Sequence, residues 1–246
     1  MWTRKVLISF IAAFCFLNTA YVLAQQTIVL NTTGIHPLNN PERNGFMDRV
    51  SVEAFKEINY KLDTTVLPAE RGLKSANEGV VDGEMSRIAG LNRVYPNLIQ
   101  VPEPIMEWEF VVFSKKDIDM SSGWGSLESK YVAFITGWKI LERNIPSTAN
   151  ITKIRDSDQL FRLLKKNRTD YVIFEKWGGL SVKKELDLDA VLQRPPALAK
   201  RKMYIYLHQK HKALVPKLSL VLKKMKRDGR YQARFNKILK PYISNK

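Results

Sequence analysis

The chain has 246 residues and carries 40 Lys and Arg against 24 Asp and Glu, which gives a formal net charge of +16. Its single cysteine and three histidines exclude a disulfide framework and the common Cys/His zinc sites. The length is sufficient for one large domain or for two small lobes that each bury a hydrophobic core.

The first 24 residues have the layout of a secretory signal peptide. A basic start at Arg4 and Lys5 precedes an apolar run from Val6 to Leu17, and the small residue Ala24 ends the segment. An apolar run of this length is too short to span a bilayer core of roughly 30 Å. We therefore expect cleavage after Ala24 and an exported mature chain from which the thiol of Cys15 has been removed.

The positive charge is concentrated near the C-terminus. Lys200 to Lys246 contains fifteen Lys and Arg and a single acid, Asp228, so this segment carries +14, while positions 25 to 199 balance to zero. A dense cluster at Lys223 to Arg227 is compatible with binding to anionic lipid, or with simple solvation of the outer faces of two helices. The export signal and the absence of a nucleic-acid-binding motif argue against a nucleic-acid partner.

The first half of the mature chain alternates strands and helices. Leu73 and Ala76 form an apolar stripe, and Pro68 suits a first helical turn, where its missing amide proton costs nothing. Gly79 and the Asp82-Gly83 pair supply the next turn. The predicted elements are a strand at Thr27 to Leu30, a helix through Met47 to Ile58, a strand at Leu62 to Val66, a helix at Pro68 to Glu78 and a strand at Glu84 to Ile88.

A second alternating series follows a loop at 117–125. Asp156 followed by Gln159 has the pattern of a helix N-cap. Helices that alternate with strands favour mostly parallel sheets covered on both faces. The predicted elements are strands at Glu109 to Ser114, Tyr131 to Ile135, near Ile151, Tyr171 to Phe174 and Met203 to Leu207, and helices from about Gly137 and at Ser157 to Lys166, Leu214 to Met225 and Tyr231 to Leu239.

Polar and aromatic residues follow several of these strands, where ligands bind in open α/β sheets. Arginine can grip a carboxylate with two parallel hydrogen bonds, and Glu175 can accept from an ammonium group, so a zwitterion fits this set. The arginines can equally form surface ion pairs with nearby acids, and the tryptophans can belong to the core. The candidate ligand-binding residues are His36, Arg71, Ser86, Arg87, Arg93, Trp108, Thr136, Trp138 and Glu175.

No motif for catalysis is present in the sequence. It has no HExxH metal site, no GxSxG nucleophile elbow and no GxxxxGK[ST] phosphate loop. The sequence therefore predicts no catalytic residue, no metal and no cofactor.

The order and spacing of these elements resemble the bacterial periplasmic solute-binding proteins of family 3, the amino-acid-binding type with the two-lobed type II fold. The resemblance covers nearly the whole mature chain. It is carried by the strand at Ile28 to Leu30, Gly45-Phe46 at the start of a helix, Gly79 with Asp82-Gly83 before a strand, Arg93 after that strand, Tyr131 to Gly137, Asp170 to Glu175 and the C-terminal Gly229 to Ile238.

The resemblance implies roles for particular residues. Arg93 would bind the α-carboxylate of an amino acid, after a loop one residue shorter than is usual, and Ser86 would line the same wall. Glu175 would receive the α-ammonium group, and His36 falls where an aromatic ring usually covers the ligand side chain. Gly137-Trp138 departs from the usual Gly-Thr or Gly-Ser pair, which admits a larger or aromatic ligand.

The resemblance also implies a domain layout with two crossing segments, near Val111 to Ser114 and near Arg201 to Leu207. The first lobe would comprise 25–113 and 201–246, and the second lobe 114–200. Closure of the lobes on a ligand by hinge motion is then expected.

The leading hypothesis is a monomeric periplasmic protein that captures a small amino acid or related zwitterion or anion and presents it to an inner-membrane permease or a sensor. It is not expected to be an enzyme. One alternative is a dehydratase acting on cyclic acids through a cleft carboxylate such as Glu175, which product release from prephenate or arogenate would reveal. Another is a protein that binds anionic membrane surfaces through its basic C-terminal helices.

Overall fold

The computed structural model describes residues 25–244, and the predicted signal peptide at 1–24 lies outside the described residues. The strands are β1 (Thr27–Thr32), β2 (Lys61–Val66), β3 (Gly83–Arg87), β4 (Leu98–Gln100), β5 (Met106–Ser114), β6 (Tyr131–Ile135), β7 (Asn150–Ile154), β8 (Tyr171–Glu175) and β9 (Leu192–His208). The α-helices are α1 (Phe46–Glu57), α2 (Ala69–Asn77), α3 (Lys139–Asn144), α4 (Ser157–Lys165), α5 (Lys176–Glu185), α6 (Leu214–Arg227), α7 (Arg230–Ile238) and α8 (Pro241–Ser244).

The strands lie in the order β2-β1-β3-β9-β5-β8-β6-β7, and β4 also pairs with β9. Parallel pairing joins β1 to β2 and β3 in the first lobe, and β6 to β7 and β8 in the second. Antiparallel pairing joins these two sets to the long strands β5 and β9. This arrangement confirms the predicted α/β architecture with two lobes.

Strand β9 connects the lobes because it changes partner along its length. Its residues up to Met203 pair with β5, and from Tyr204 onward they pair with β3 and β4. The predicted crossing segment at Arg201 to Leu207 contains this change of partner.

The other predicted crossing, at Val111 to Ser114, lies elsewhere in the structure. Val111 and Phe113 pair with β8, so this stretch already belongs to the sheet of the second lobe. The chain passes between the sheets at 101–105, where Val101 and Ile105 donate backbone hydrogen bonds of 2.8 Å to β9. The alternation of residues predicts that β5 is a strand, but it carries no information on where the pairing partner changes.

Helices α6 and α7 pack against α1 of the first lobe. Phe46, which is fully buried at the start of α1, makes edge-to-face contacts with Tyr231 and Phe235 of α7. Arg230 contacts the carboxylates of Glu53 and Glu57 on α1. Part of the positive charge of the C-terminal segment is therefore neutralised against the first lobe.

The start of α4 confirms the predicted N-cap. The Asp156 carboxylate accepts a hydrogen bond of 2.8 Å from the backbone N–H of Gln159, which satisfies one of the donors that a helix leaves free at its N-terminus. None of the helices within residues 25–244 combines the length and the apolar character that crossing a membrane requires.

Candidate functional site

The cleft between the two lobes contains two adjoining cavities, of about 650 Å³ and about 130 Å³. The larger cavity lies among the segments that follow β1, β2, β6 and β7. These are carboxyl ends of parallel strands, which is where the sequence predicts a site. The residues that line both cavities are Thr33, Ala69, Glu70, Arg87, Gly137 and Trp138.

The first-lobe wall is built on a buried polar cluster of Asn31, Glu84 and Arg87. Asn31 and Glu84 are register partners on the parallel strands β1 and β3, and the Asn31 amide donates to both Glu84 carboxylate oxygens at 3.0 and 3.2 Å. The Arg87 Nε donates to Glu84 Oε2 at 2.8 Å. Burial raises the pKa of Glu84, while Arg87 and Asn31 act in the opposite direction. The cluster therefore fixes the direction of the Arg87 side chain as it enters the cleft.

Arg87 keeps unused hydrogen-bonding capacity in the cleft. Its Nη2 lies 2.8 Å from Glu84 Oε2 and donates to the Ala69 carbonyl oxygen at 3.2 Å. Its Nη1 makes no hydrogen bond with any residue in the described part of the chain. Because a guanidinium carries five N–H donors, this group can still bind an anion that enters either cavity.

The second-lobe wall contributes a second arginine, which is not among the nine candidate residues. Arg155 directly follows β7, is exposed, lines the larger cavity and has no hydrogen bond or ion pair with any of residues 25–244. Glu70 and Asp156 supply the opposite sign of charge in the same cavity. The rule that ligands meet the carboxyl ends of strands also applies to β7, and applying it there would have identified Arg155.

Trp138 lines both cavities. Its ring stacks on Phe174 with the centroids 4.9 Å apart and an interplanar angle of 17°, and it meets Phe110 edge-on at 5.8 Å. Trp108 lies 5.8 Å from the Trp138 ring on the side of the smaller cavity. Trp138, at the position where the resemblance implies a small polar residue, is therefore a wall of the cleft.

The structure brings five of the nine candidate residues to the cleft. Ser86 and Trp108 line the smaller cavity, Thr136 lines the larger one, and Arg87 and Trp138 line both. Arg71 is exposed on α2 outside both linings.

Arg93 and His36 also lie outside both linings. Arg93 ends a short 3-10 helix, Leu91–Arg93, and is exposed, so the shortened loop holds it away from the cavities that Arg87 lines. His36 is exposed, and its Nε2 lies 3.0 Å from the Tyr242 hydroxyl of α8. Sequence spacing alone could not show that the C-terminal helix contacts this histidine.

Glu175 is fully buried at the N-cap of α5 instead of reaching the cleft. Its Oε2 accepts a hydrogen bond of 2.8 Å from the Gly178 N–H, and Oε1 has no partner among the described residues. Burial raises the pKa of Glu175 to about 8, against an ordinary value of 4.5. The neighbouring Lys176 pairs with Glu109 at 3.1 Å.

Glu175→Gln is expected to remove a pH-dependent loss of stability. Between pH 4.5 and 8 the folded protein retains a proton on Glu175 that the unfolded chain releases, so the free energy of unfolding of the parent falls as pH rises. The amide does not titrate and can still accept the N-cap hydrogen bond. Urea unfolding should show that the free energy of unfolding of the variant, relative to that of the parent, rises by about 3 kcal/mol between pH 5 and pH 8. Above pH 8 this difference should level off.

Asp156→Asn is the control for this measurement, because it changes a capping carboxylate at an exposed N-cap. Parallel pH profiles for Glu175→Gln and the parent protein would contradict the burial argument, since they would mean that Glu175 ionises equally easily in both states.

No group of three or more His, Cys, Asp and Glu side chains within residues 25–244 is arranged to hold a metal ion. What the cleft offers is two arginines from opposite lobes, exposed carboxylates and an aromatic wall.

No protein-family model matches the chain. An uncharacterized protein of Shewanella oneidensis is 26% identical over 200 residues, which cover 74% of this chain and 72% of that protein.

Among solved structures, a histidine kinase sensor domain with similarity to periplasmic binding proteins matches with a TM-score of 0.74 and 16% identity, over 87% of this chain and 97% of that chain. The substrate-binding protein of an amino acid ABC transporter has a TM-score of 0.71 and 18% identity, over 87% and 99%. An ancestral amino acid-binding protein, a precursor of cyclohexadienyl dehydratase, has a TM-score of 0.69 and 17% identity, over 87% of this chain and 95% of that chain. The chain therefore has the type II periplasmic-binding-protein fold.

Proposed function

We propose that this protein captures a small anionic or zwitterionic solute, such as an amino acid or a related acid, between its lobes. The observation that carries the proposal is that Arg87 and Arg155 enter one cavity from opposite lobes, and that each retains donors unused by the described residues. An anion bound to both arginines joins the two walls. Glu70 and Asp156 in the same cavity can accept from an ammonium group.

Binding would act on the connection between the lobes. The first-lobe wall rests on β3 and the second-lobe wall on β6 and β7, and these are joined through β5 and β9. A ligand that contacts both walls stabilises the arrangement in which they are close, and this is how a solute shifts such a two-lobed equilibrium.

We further propose that the protein acts in the periplasm, as a monomer, and presents its ligand to an inner-membrane permease or to a sensor. The signal-like sequence at 1–24 supports export. Two proteins of the same fold support this pair of partners, since one is the substrate-binding protein of an amino acid ABC transporter and the other is a histidine kinase sensor domain.

The dehydratase alternative is less well supported by the geometry of the cleft. It requires a carboxylate in contact with the substrate, and Glu175, which the sequence offered for that role, caps α5 and lines neither cavity. The exposed carboxylates of Glu70 and Asp156 are instead suited to binding a cationic group. The proposal is therefore a binding protein and not an enzyme.

Arg155→Met is expected to weaken solute binding by about tenfold or more without loss of fold, because Arg155 is exposed and has no hydrogen bond or ion pair with the described residues. The measurement is isothermal titration calorimetry of the mature protein against a panel of amino acids and organic acids. Arg93→Met removes an equally exposed and unpaired arginine outside both cavities, and we expect less than a twofold change.

The reverse pattern, in which Arg93→Met abolishes binding and Arg155→Met does not, would mean that Arg93 binds the solute, as the resemblance implies. If no member of the panel binds the parent protein, the solute-binding proposal itself fails.

A further inference from the structure

The smaller cavity has the size and the walls of a site for one aromatic ring. Its volume of about 130 Å³ is close to that of an apolar cavity of roughly 150 Å³ that accommodates a single benzene molecule. Trp108 and Phe110 from β5 and Trp138 from the second lobe form aromatic walls, and Met203 and Ile140 are among the apolar residues that complete the lining. Rings in such surroundings pack edge-to-face or offset against their neighbours.

Two polar atoms at this cavity lack hydrogen-bond partners. Ser86 is 2% exposed and Trp108 is 3% exposed, and neither the Ser86 Oγ nor the Trp108 Nε1 is bonded to any described residue. Native proteins pair nearly all of their buried polar atoms, because an unpaired one costs free energy. Both of these residues line the same ring-sized cavity, so a molecule bound there can supply the missing partners.

The types of the two atoms restrict that molecule. The indole Nε1 is a donor only, and a serine hydroxyl can donate or accept. A ring substituent with an oxygen lone pair can therefore accept from Trp108, and a hydroxyl substituent can serve both residues. An unsubstituted hydrocarbon ring leaves both atoms unpaired.

The charged part of such a molecule has a partner close by. Arg87 lines both cavities, and its Nη1 has no hydrogen-bond partner in the described part of the chain. A carboxylate attached to the ring can contact Arg87 while the ring occupies the smaller cavity.

We propose that the smaller cavity is a subsite for the ring of a hydroxylated aromatic carboxylate, with Ser86 and Trp108 bound to the ring hydroxyl and Arg87 bound to the carboxylate. This inference rests on the proposed solute-binding function and specifies its ligand class. The Ser86 Oγ and the Trp108 Nε1 are shielded from solvent. Entry of the ring therefore requires a displacement of the lining, and Trp138, which reaches across from the second lobe, is the side chain that a parting of the lobes would move.

The test uses calorimetry on the mature full-length protein with three carboxylates of similar size: 4-hydroxyphenylacetate, phenylacetate and cyclohexylacetate. We expect 4-hydroxyphenylacetate to bind about tenfold more tightly than phenylacetate, because only the former pairs the two polar atoms. Cyclohexylacetate, which is not planar, should bind more weakly than both.

Ser86→Ala should remove most of the preference for the hydroxylated probe and change the affinity for phenylacetate less than twofold. Trp108→Phe, which keeps an aromatic wall but removes the N–H, should act in the same direction. Ser147→Ala is the control, because Ser147 is exposed and lines neither cavity, and this variant should show the same preference as the parent protein. Thermal unfolding of each variant verifies the fold.

Equal affinities for the three probes, or a preference unchanged in Ser86→Ala, would overturn the subsite. If none of the three binds while another solute binds in an Arg155-dependent manner, the subsite fails and the solute-binding proposal stands. If no solute binds at all, both proposals fail.

Discussion

Gly72→Ala is expected to destabilise the protein by about 2–3 kcal/mol and to weaken solute binding, although it adds only one methyl group. A Cβ at position 72 would lie 2.1 Å from Asn31 Nδ2 and 2.7 Å from Glu84 Oε1. Asn31 cannot turn away without losing its bonds to Glu84 and to the Leu67 N–H. Overpacking and the lost hydrogen bonds outweigh the gain of about 1 kcal/mol that alanine brings inside a helix.

The measurement pairs urea unfolding with calorimetry. Gly125→Ala is the matched control, because a Cβ there meets only Ser122 Cβ at an ordinary 3.5 Å. We expect Gly125→Ala to lie within about 0.5 kcal/mol of the parent protein and to bind equally well. A Gly72→Ala variant that is as stable as the parent would mean that Asn31 and Glu84 can rearrange, and that Arg87 does not depend on them.

Local sequence signals predicted most of the elements that position the site. The N-cap of α4 at Asp156 and the strands β6 and β8 lie where capping and apolar patterns placed them. Helix α5 was missed because Gly178 and Gly179 disfavour a helix. Both glycines are required by packing, since Cβ atoms there would meet Ile35 and Phe113 at 2.4 and 2.2 Å.

Strand β9 was recognised only over its apolar end. It contains Pro195-Pro196 and the charged run Lys200 to Lys202, which are weak strand signals, yet Leu192 to Arg194 and Ala199 to Met203 pair with β5. Such pairing depends on residues that are far apart in the sequence, so a local sequence pattern cannot predict it.

The site itself was predictable in outline but not in its choice of arginine. Strand ends predict Ser86, Arg87 and Trp138 as candidate residues, and all three line the smaller cavity. The resemblance favoured Arg93, whereas Arg87 lines both cavities, because the register of β1 against β3 places Asn31 beside Glu84 and so creates a buried partner for Arg87. In sequence, Glu84 is indistinguishable from a surface acid. Only the pairing of two strands 53 residues apart shows otherwise.

The dependence of Arg87 on Glu84 gives the second large effect. Glu84→Leu is expected to lower the free energy of unfolding by about 3 kcal/mol, because it leaves the guanidinium of Arg87, whose side chain is 14% exposed, without its carboxylate, and the Asn31 amide without its acceptor. Urea unfolding monitored by circular dichroism measures this loss.

The double variant Glu84→Leu with Arg87→Met separates the charge pair from the packing around it. Removing both charges should recover at least about 2 kcal/mol relative to Glu84→Leu alone, since replacing a whole buried ion pair by apolar residues is often close to neutral. The recovered protein should nevertheless bind no anion tightly, because its first-lobe arginine is gone. A double variant as unstable as Glu84→Leu would indicate that the cost arises from Asn31 and the fit of β3, and not from an unpaired Arg87. A Glu84→Leu protein that is as stable as the parent and binds solute equally well would mean that the buried cluster does not position Arg87 for binding.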